Sequence, residues 1–133
     1  MRPFNRLASI LLLLSLIATC EALNITPPEV RITIINDLLN TMPIMVHCSS
    51  PAKDFGAFAI PKLGKLPFSF QPIPLLSEDV NCSVEWGGQT HNFDFYVYKR
   101  DKDRGNICCS WTVREDGPCV QVNQFSSTCY PWK

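Results

Sequence analysis

Cysteine offers the most chemistry in this chain. There are seven, Cys20, Cys48, Cys82, Cys108, Cys109, Cys119 and Cys129, beside two histidines, His47 and His91. A cysteine nucleophile needs a thiolate next to a histidine, and a zinc site needs C-x-x-C or histidine ligands at suitable spacing. The one close pair, Cys108 and Cys109, is adjacent, and adjacent side chains on a strand point apart. The two histidines are too few for a three-histidine centre, and the sequence contains neither G-x-S-x-G nor H-E-x-x-H. Glu78-Asp79 and Glu115-Asp116 fall at strand ends, where acidic residues ordinarily serve turns. A glycosidase would need two carboxyl groups facing each other across a cleft, and sequence spacing does not place these pairs so. The residues therefore predict no catalytic set, no metal site and no cofactor, so the chain is not read as an enzyme.

What the cysteines do depends on where the chain travels. Residues 1–6 carry Arg2 and Arg6, Leu7 to Ile17 is apolar apart from Ser9 and Ser15, and Ala18-Thr19-Cys20 supplies small residues. This is the layout of a secretory signal. It is too short for a membrane-spanning helix, which needs about 20 apolar residues. The expected organisation is a signal peptide at 1–20 with cleavage after Cys20 or after Ala22, a short irregular leader at 21–29, and one domain at 30–133. Cleavage removes Cys20 and leaves an even set, which in a short secreted chain reads as a disulfide framework. Spacing alone does not choose the pairing. The full chain has a net charge of zero, and loss of Arg2 and Arg6 makes the mature protein slightly negative. That argues against a nucleic-acid partner, which needs clustered basic surface. No second apolar run approaches membrane length. Asn24-Ile25-Thr26 and Asn81-Cys82-Ser83 are N-glycosylation sequons.

The elements that carry these residues read mostly as strands. Val30, Ile32 and Ile34 alternate with Arg31 and Thr33; Ile44, Val46 and Cys48 alternate with Met45 and His47. Leu66, Phe68 and Phe70 share a face, and Pro67 places that strand near a sheet edge. Val80, Cys82, Val84 and Trp86 continue the period of two, with Asn81 facing out, and Gly87-Gly88 marks a turn before Phe93 to Tyr98. Ile107, Cys109, Trp111 and Val113 face one way, and Asp116-Gly117 signals a turn into Cys119 to Val122. Cys48, Cys82 and Cys109 then all point inward. No stretch has convincing helical periodicity. The prediction is an all-β fold, a small disulfide-stapled sandwich of two mostly antiparallel sheets. Lys99, Arg100, Asp101, Lys102, Asp103, Arg104 and Gly105 read as a solvated hairpin tip.

These segments resemble a known family. Val30 to Asn36, Val46-His47-Cys48-Ser49-Ser50 and Asp54-Phe55-Gly56 are similar to the opening of the plant self-incompatibility protein S1 family, the S-protein homologues, with Phe55 where a leucine is usual. Phe68-Ser69-Phe70, Cys82 with Trp86, Phe93 to Tyr98, and Cys109-Ser110-Trp111-Thr112-Val113 with Asp116-Gly117 resemble its later strands in order. The third and fourth cysteines, usually a few residues apart, are adjacent here, and Cys119 and Cys129 are additional. The resemblance implies Cys48 paired with Cys109 and Cys82 with Cys108, leaving Cys119 with Cys129. It also implies a secreted ligand for a cell-surface receptor, serving pollen rejection, as in poppies, or another developmental signal. The alternative class is an extracellular defence protein, a toxin or protease inhibitor using the Pro-rich Gln71 to Leu76 segment. Recognition would fall on loops: Asp37 to Met42, Gln71 to Leu76, Gly87 to Asn92, and first of all the charged Lys99 to Gly105.

Overall fold

The computed structural model describes residues 29–72 and 78–133, apart from the side chains of 105–107. The expected signal peptide, Asn24, most of the leader and residues 73–77 of the Pro-rich connection lie outside the described residues. Strands form at β1 (Val30–Asn36), β2 (Ile44–Ser49), β3 (Asp54–Ile60), β4 (Lys65–Phe70), β5 (Val80–Trp86) and β6 (Gln89–Tyr96). A short helix α1 (Tyr98–Asp101) and a 3-10 segment (Lys102–Ile107) lead to β7 (Cys109–Arg114), β8 (Gly117–Gln121) and β9 (Ser127–Cys129). One sheet has the order β4-β1-β7-β8-β9 and the other β3-β2-β5-β6. β1 and β7 run parallel; the other pairings are antiparallel.

Period-two alternation builds the core. Ile32 and Ile34 of β1, Ile44 and Val46 of β2, Val80 and Val84 of β5, and Trp111 and Val113 of β7 are all fully buried. Each such side chain contributes roughly 1.5–3 kcal/mol relative to exposure. Phe95 and Trp111 meet edge to face at 5.4 Å between the sheets. Pro67 does lie on an edge strand, β4, at the border of the five-stranded sheet.

Three elements differ from the sequence reading. β3 escapes it because its outward residues are Ala57 and Ala59 rather than polar, so the strand alternates in size and not in polarity. β9 is three residues long and pairs with β8 around a tight tip. The third difference bears on function. Residues 98–107 do not close a hairpin. They cross from β6 in one sheet to β7 in the other, and they do so as α1 and a 3-10 segment.

Asn36, at the end of β1, is a buried fastening. Its Nδ2 donates to the backbone oxygens of Met42 and Ile60, both at 3.0 Å, and its Oδ1 accepts from Leu38 N at 3.2 Å. Its backbone binds Gly64 O and Leu63 N. One residue thus fixes the β1–β2 and β3–β4 connections to each other.

The topology sorts the connections into two ends. β7 starts where the crossover delivers it, and β8, antiparallel to β7, finishes at that same end. The crossover, the β8–β9 tip (122–126) and the β2–β3 connection (50–53) therefore share one end of the sandwich. The connections 37–43, 61–64, 87–88 and 115–116 share the other.

Candidate functional site

The crossover divides its charges between the inside and the outside. Asp101 is buried, and its carboxylate accepts from Val97 N, Arg100 Nε and Arg100 Nη2, each at 2.9 Å. Arg104 adds a longer ion pair at 3.7 Å. The Arg100 guanidinium also donates to Asp94 O at 2.9 Å. It lies over three rings, Trp111 at 5.0 Å, Tyr130 at 5.4 Å and Phe93 at 5.5 Å. Asp79 receives Tyr98 N at 3.1 Å and anchors the start of α1. The expected solvated tip is thus corrected. Arg100 and Asp101 turn inward and hold the connection, because a buried charge is tolerated only when paired and hydrogen-bonded, while the half-buried Arg104 adds its ion pair without a hydrogen bond at Nη1. Lys99, Lys102 and Asp103 remain exposed.

A second feature at the same end was not anticipated. The tip 122–126 is closed by Val122 N and Asn123 N donating to Ser126 O at 3.0 and 3.3 Å, with Asn123 Oδ1 accepting from Phe125 N at 2.8 Å. Directly behind it, Cys119 is bridged to Cys129. This braced tip leaves Phe125 94% exposed. An Asn-Gln-Phe-Ser-Ser run reads from sequence as ordinary loop. Only the pairing of β8 with β9 shows the ring to be projected from a braced base.

The cysteines pair differently from the resemblance. Cys48 and Cys82 are direct partners in the β2–β5 register and are bridged to each other, with Cα atoms 4.0 Å apart. Cys48 therefore joins its neighbour in its own sheet and not Cys109 across the core. Cys108 and Cys109 bridge each other. Strand alternation would separate them, but Cys108 leaves the 3-10 segment and precedes β7, so only Cys109 obeys it. A tryptic digest without reduction distinguishes the two patterns. The peptide Gly105–Arg114 is expected to run unlinked, lighter than its reduced form by two hydrogens. Finding it joined to the Cys48 and Cys82 peptides would restore the family-derived pairing.

Among the described residues, the two histidines lie on opposite faces of the four-stranded sheet. His47 is exposed on β2 and meets Asp54 at 2.8 Å. A backbone hydrogen bond from Gly56 and then the His47 ring hold the Asp54 carboxyl below its ordinary value. His91 stacks on Trp86 at 4.3 Å and faces Trp132 at 5.2 Å, on the side of β6 away from His47. All six cysteines of the described residues are in disulfides, and no cluster of three or more metal-ligating side chains occurs among those residues. Glu115 binds Leu39 N through both carboxylate oxygens, at 2.9 and 3.1 Å. Asn81 faces out, with its Nδ2 donating to Asp94 Oδ1 at 2.9 Å. Burial pushes the Asp94 carboxyl up, but hydrogen bonds from Lys133 and Asn81 and the charges of Lys133 and Arg100 together bring it below its ordinary value. No helix among the described residues is long and apolar enough to cross a membrane.

Two facing sheets, a core of alternating apolar residues and bridged cysteines define a small disulfide-stapled β-sandwich. The chain belongs to the plant self-incompatibility protein S1 family, whose sequence profile matches residues 31–132. It is 34% identical to S-protein homolog 5 of Arabidopsis thaliana over 111 residues, covering 80% of this chain and 83% of that protein. It is 33% identical to S-protein homolog 2 of the same plant over 108 residues, 76% of this chain and 66% of that one. Against self-incompatibility protein S1 of Papaver rhoeas the identity is 27% over 93 residues, 68% and 66% of the two chains. The fold matches a solved structure of SPH proteins, described as small, highly stable, secreted proteins from plants. That match has a TM-score of 0.58 at 17% identity, covering 81% of this chain and 96% of the other.

Proposed function

We propose that this protein is a ligand for a cell-surface receptor protein and that it binds through the end of the sandwich carrying the crossover and the β8–β9 tip. The process it serves is pollen rejection, by similarity to the Papaver rhoeas relative, or another developmental signal. One observation carries the choice of end. The topology brings the exposed Phe125, the partly exposed Tyr98, and the solvated Lys99, Lys102 and Asp103 to the same end of the sandwich. Aromatic anchors with charged neighbours are what protein interfaces use for affinity and for steering. The opposite end exposes Leu39 and Leu63, but two of its charged groups are spent on holding loops: Glu115 on Leu39 N and Lys62 on Leu38 O. Asn24 and Asn81 are the proposed glycan acceptors, and a glycan on Asn81 would take its Nδ2 from Asp94.

The test is a titration of labelled mature protein onto plasma-membrane vesicles from floral, seed and root tissue. Phe125→Ala is expected to weaken saturable binding roughly thirty-fold, the effect of losing about 2 kcal/mol at an interface anchor. Lys99→Glu with Lys102→Glu is expected to slow association, and Leu39→Ser to leave binding unchanged. Saturable binding lost with Leu39→Ser but kept with Phe125→Ala would move the site to the other end. Absence of saturable binding to any of the membranes would count against the ligand reading itself.

A further inference from the structure

We infer that the protein self-associates through β3, which pairs antiparallel with β3 of a second copy about a two-fold axis at Phe58. The reasoning starts from sheet edges. An edge strand presents unpaired backbone donors and acceptors, and proteins blunt such edges with charge, proline, shortness or cover. The two sheets have four edges among the described residues: β4 and β9 in one, β3 and β6 in the other. Three are protected. β4 carries Lys65 and Pro67, and β9 is three residues long. β6 is covered by the end of the chain: Lys133 N donates to Asn92 O at 3.0 Å, Lys133 Nζ pairs with Asp94 at 2.5 Å, and Trp132 lies against His91.

β3 has none of these devices along most of its length. From Phe55 to Ile60 it has no charged residue and no proline. Its register shift falls at the start, next to Gly56 with φ +93°, and leaves Ala57 to Ile60 regularly paired with β2 on the inner side. Phe58 shares the core-facing side with Val46, its register partner, yet stays 45% exposed. Among the described residues no strand lies beyond it to cover the ring.

A second copy of β3 fits this edge. Under antiparallel pairing centred on Phe58, the two Phe58 rings stand opposite each other, and Ala57 of each copy faces Ala59 of the other. Aromatic cross-strand pairs are favourable, and the small outward alanines offer no steric obstacle. Asp54 and Lys62, which flank the segment, are held within each copy by the His47 ring and by Leu38 O, so the contact rests on the strand pair and the Phe58 rings. The contact is isologous, as a two-fold interface requires, and it joins two four-stranded sheets into one continuous sheet. A single added strand pair places the interface among the small, concentration-dependent ones. This inference does not depend on the receptor reading.

Analytical ultracentrifugation of the mature protein, from micromolar to millimolar concentration, tests it. The weight-average mass is expected to climb from monomer toward dimer. Ala57→Lys with Ala59→Lys, and separately Ala57→Glu with Ala59→Glu, are expected to remain monomeric alone and to dimerise when mixed in equal amounts. Recovery in the mixture also shows that both variants are folded. A wild-type protein that stays monomeric at millimolar concentration overturns the inference, as does dimerisation of either variant by itself. Failure of the mixture to recover overturns pairing centred on Phe58.

Discussion

Gly117→Ala is expected to lower the thermal midpoint by roughly 12–24 °C, the consequence of losing about 3 kcal/mol in a domain of this size. Gly117 opens β8 with φ +148°, and an added Cβ would lie 1.9 Å from Tyr130 O and 3.0 Å from Tyr130 C. Both are backbone atoms, so no side chain can swing aside. The displaced segment matters well beyond the turn. Tyr130 N is held by Pro118 O at 2.9 Å, and the Tyr130 ring helps to enclose Arg100. Two residues on, Trp132 binds Glu115 O at 3.0 Å and packs on Trp86. Pushing Tyr130 away therefore loosens the C-terminal tail along its whole path and uncovers β6. Gly88→Ala supplies the comparison. Gly88 has φ +75° but nothing within 4 Å of an added Cβ, so only backbone strain of about 1 kcal/mol is expected there. Thermal melts of the two variants side by side separate conformational strain from tail displacement. Equal losses would show that the contact with Tyr130 is not what fixes glycine at position 117.

The contrast between these glycines indicates what a sequence reveals about this fold. Gly87-Gly88 is legible as a turn because the signal is local: two residues with positive φ between two alternating strands. The need for glycine at 117 arises from a tail that arrives thirteen residues later and packs on it, which no local pattern encodes. The strands follow the same division. β1, β2, β5 and β7 show themselves because one face is apolar and the other polar. β3 hides because both faces are apolar and its position at an edge leaves part of Phe58 uncovered. Inward-facing cysteines could be placed from alternation, but not paired. Cys48 and Cys82 are partners because β2 and β5 are neighbours in register, and strand order is a property of the whole chain. Phe125 follows the same logic, since its exposure depends on the pairing of β8 and β9.

Arg100→Met is expected to cost about 3–5 kcal/mol, the loss typical when one partner of a buried ion pair is removed. From sequence, Lys99 to Arg104 is a run of six charged residues, and such a run ordinarily belongs to solvent. Here the side chains of Arg100 and Asp101 are only 20% and 0% exposed. Removing the guanidinium strips Asp101 of two hydrogen bonds and leaves a carboxylate with no water to replace them. It also empties the space framed by Phe93, Trp111 and Tyr130, whose ring faces favour a cation. Arg100→Met combined with Asp101→Asn is expected to recover at least half of the loss. Asparagine still accepts from Val97 N but carries no charge needing a partner, and Arg104, paired with Asp101 only at 3.7 Å and 29% exposed, can turn to solvent. Lys102→Glu, on an exposed site of the same segment, should change stability by no more than about 0.5 kcal/mol. Denaturant unfolding of these variants decides the matter, and the outcome governs how binding data on this segment are read. If Arg100 carries the fold, a binding defect in its variants reports a deformed crossover, and only Lys99, Lys102 and Asp103 report recognition. If Arg100→Met costs under about 1 kcal/mol, well below the range for a broken buried pair, the enclosed pair is not structural. Arg100 then returns to the set of residues that a receptor can read.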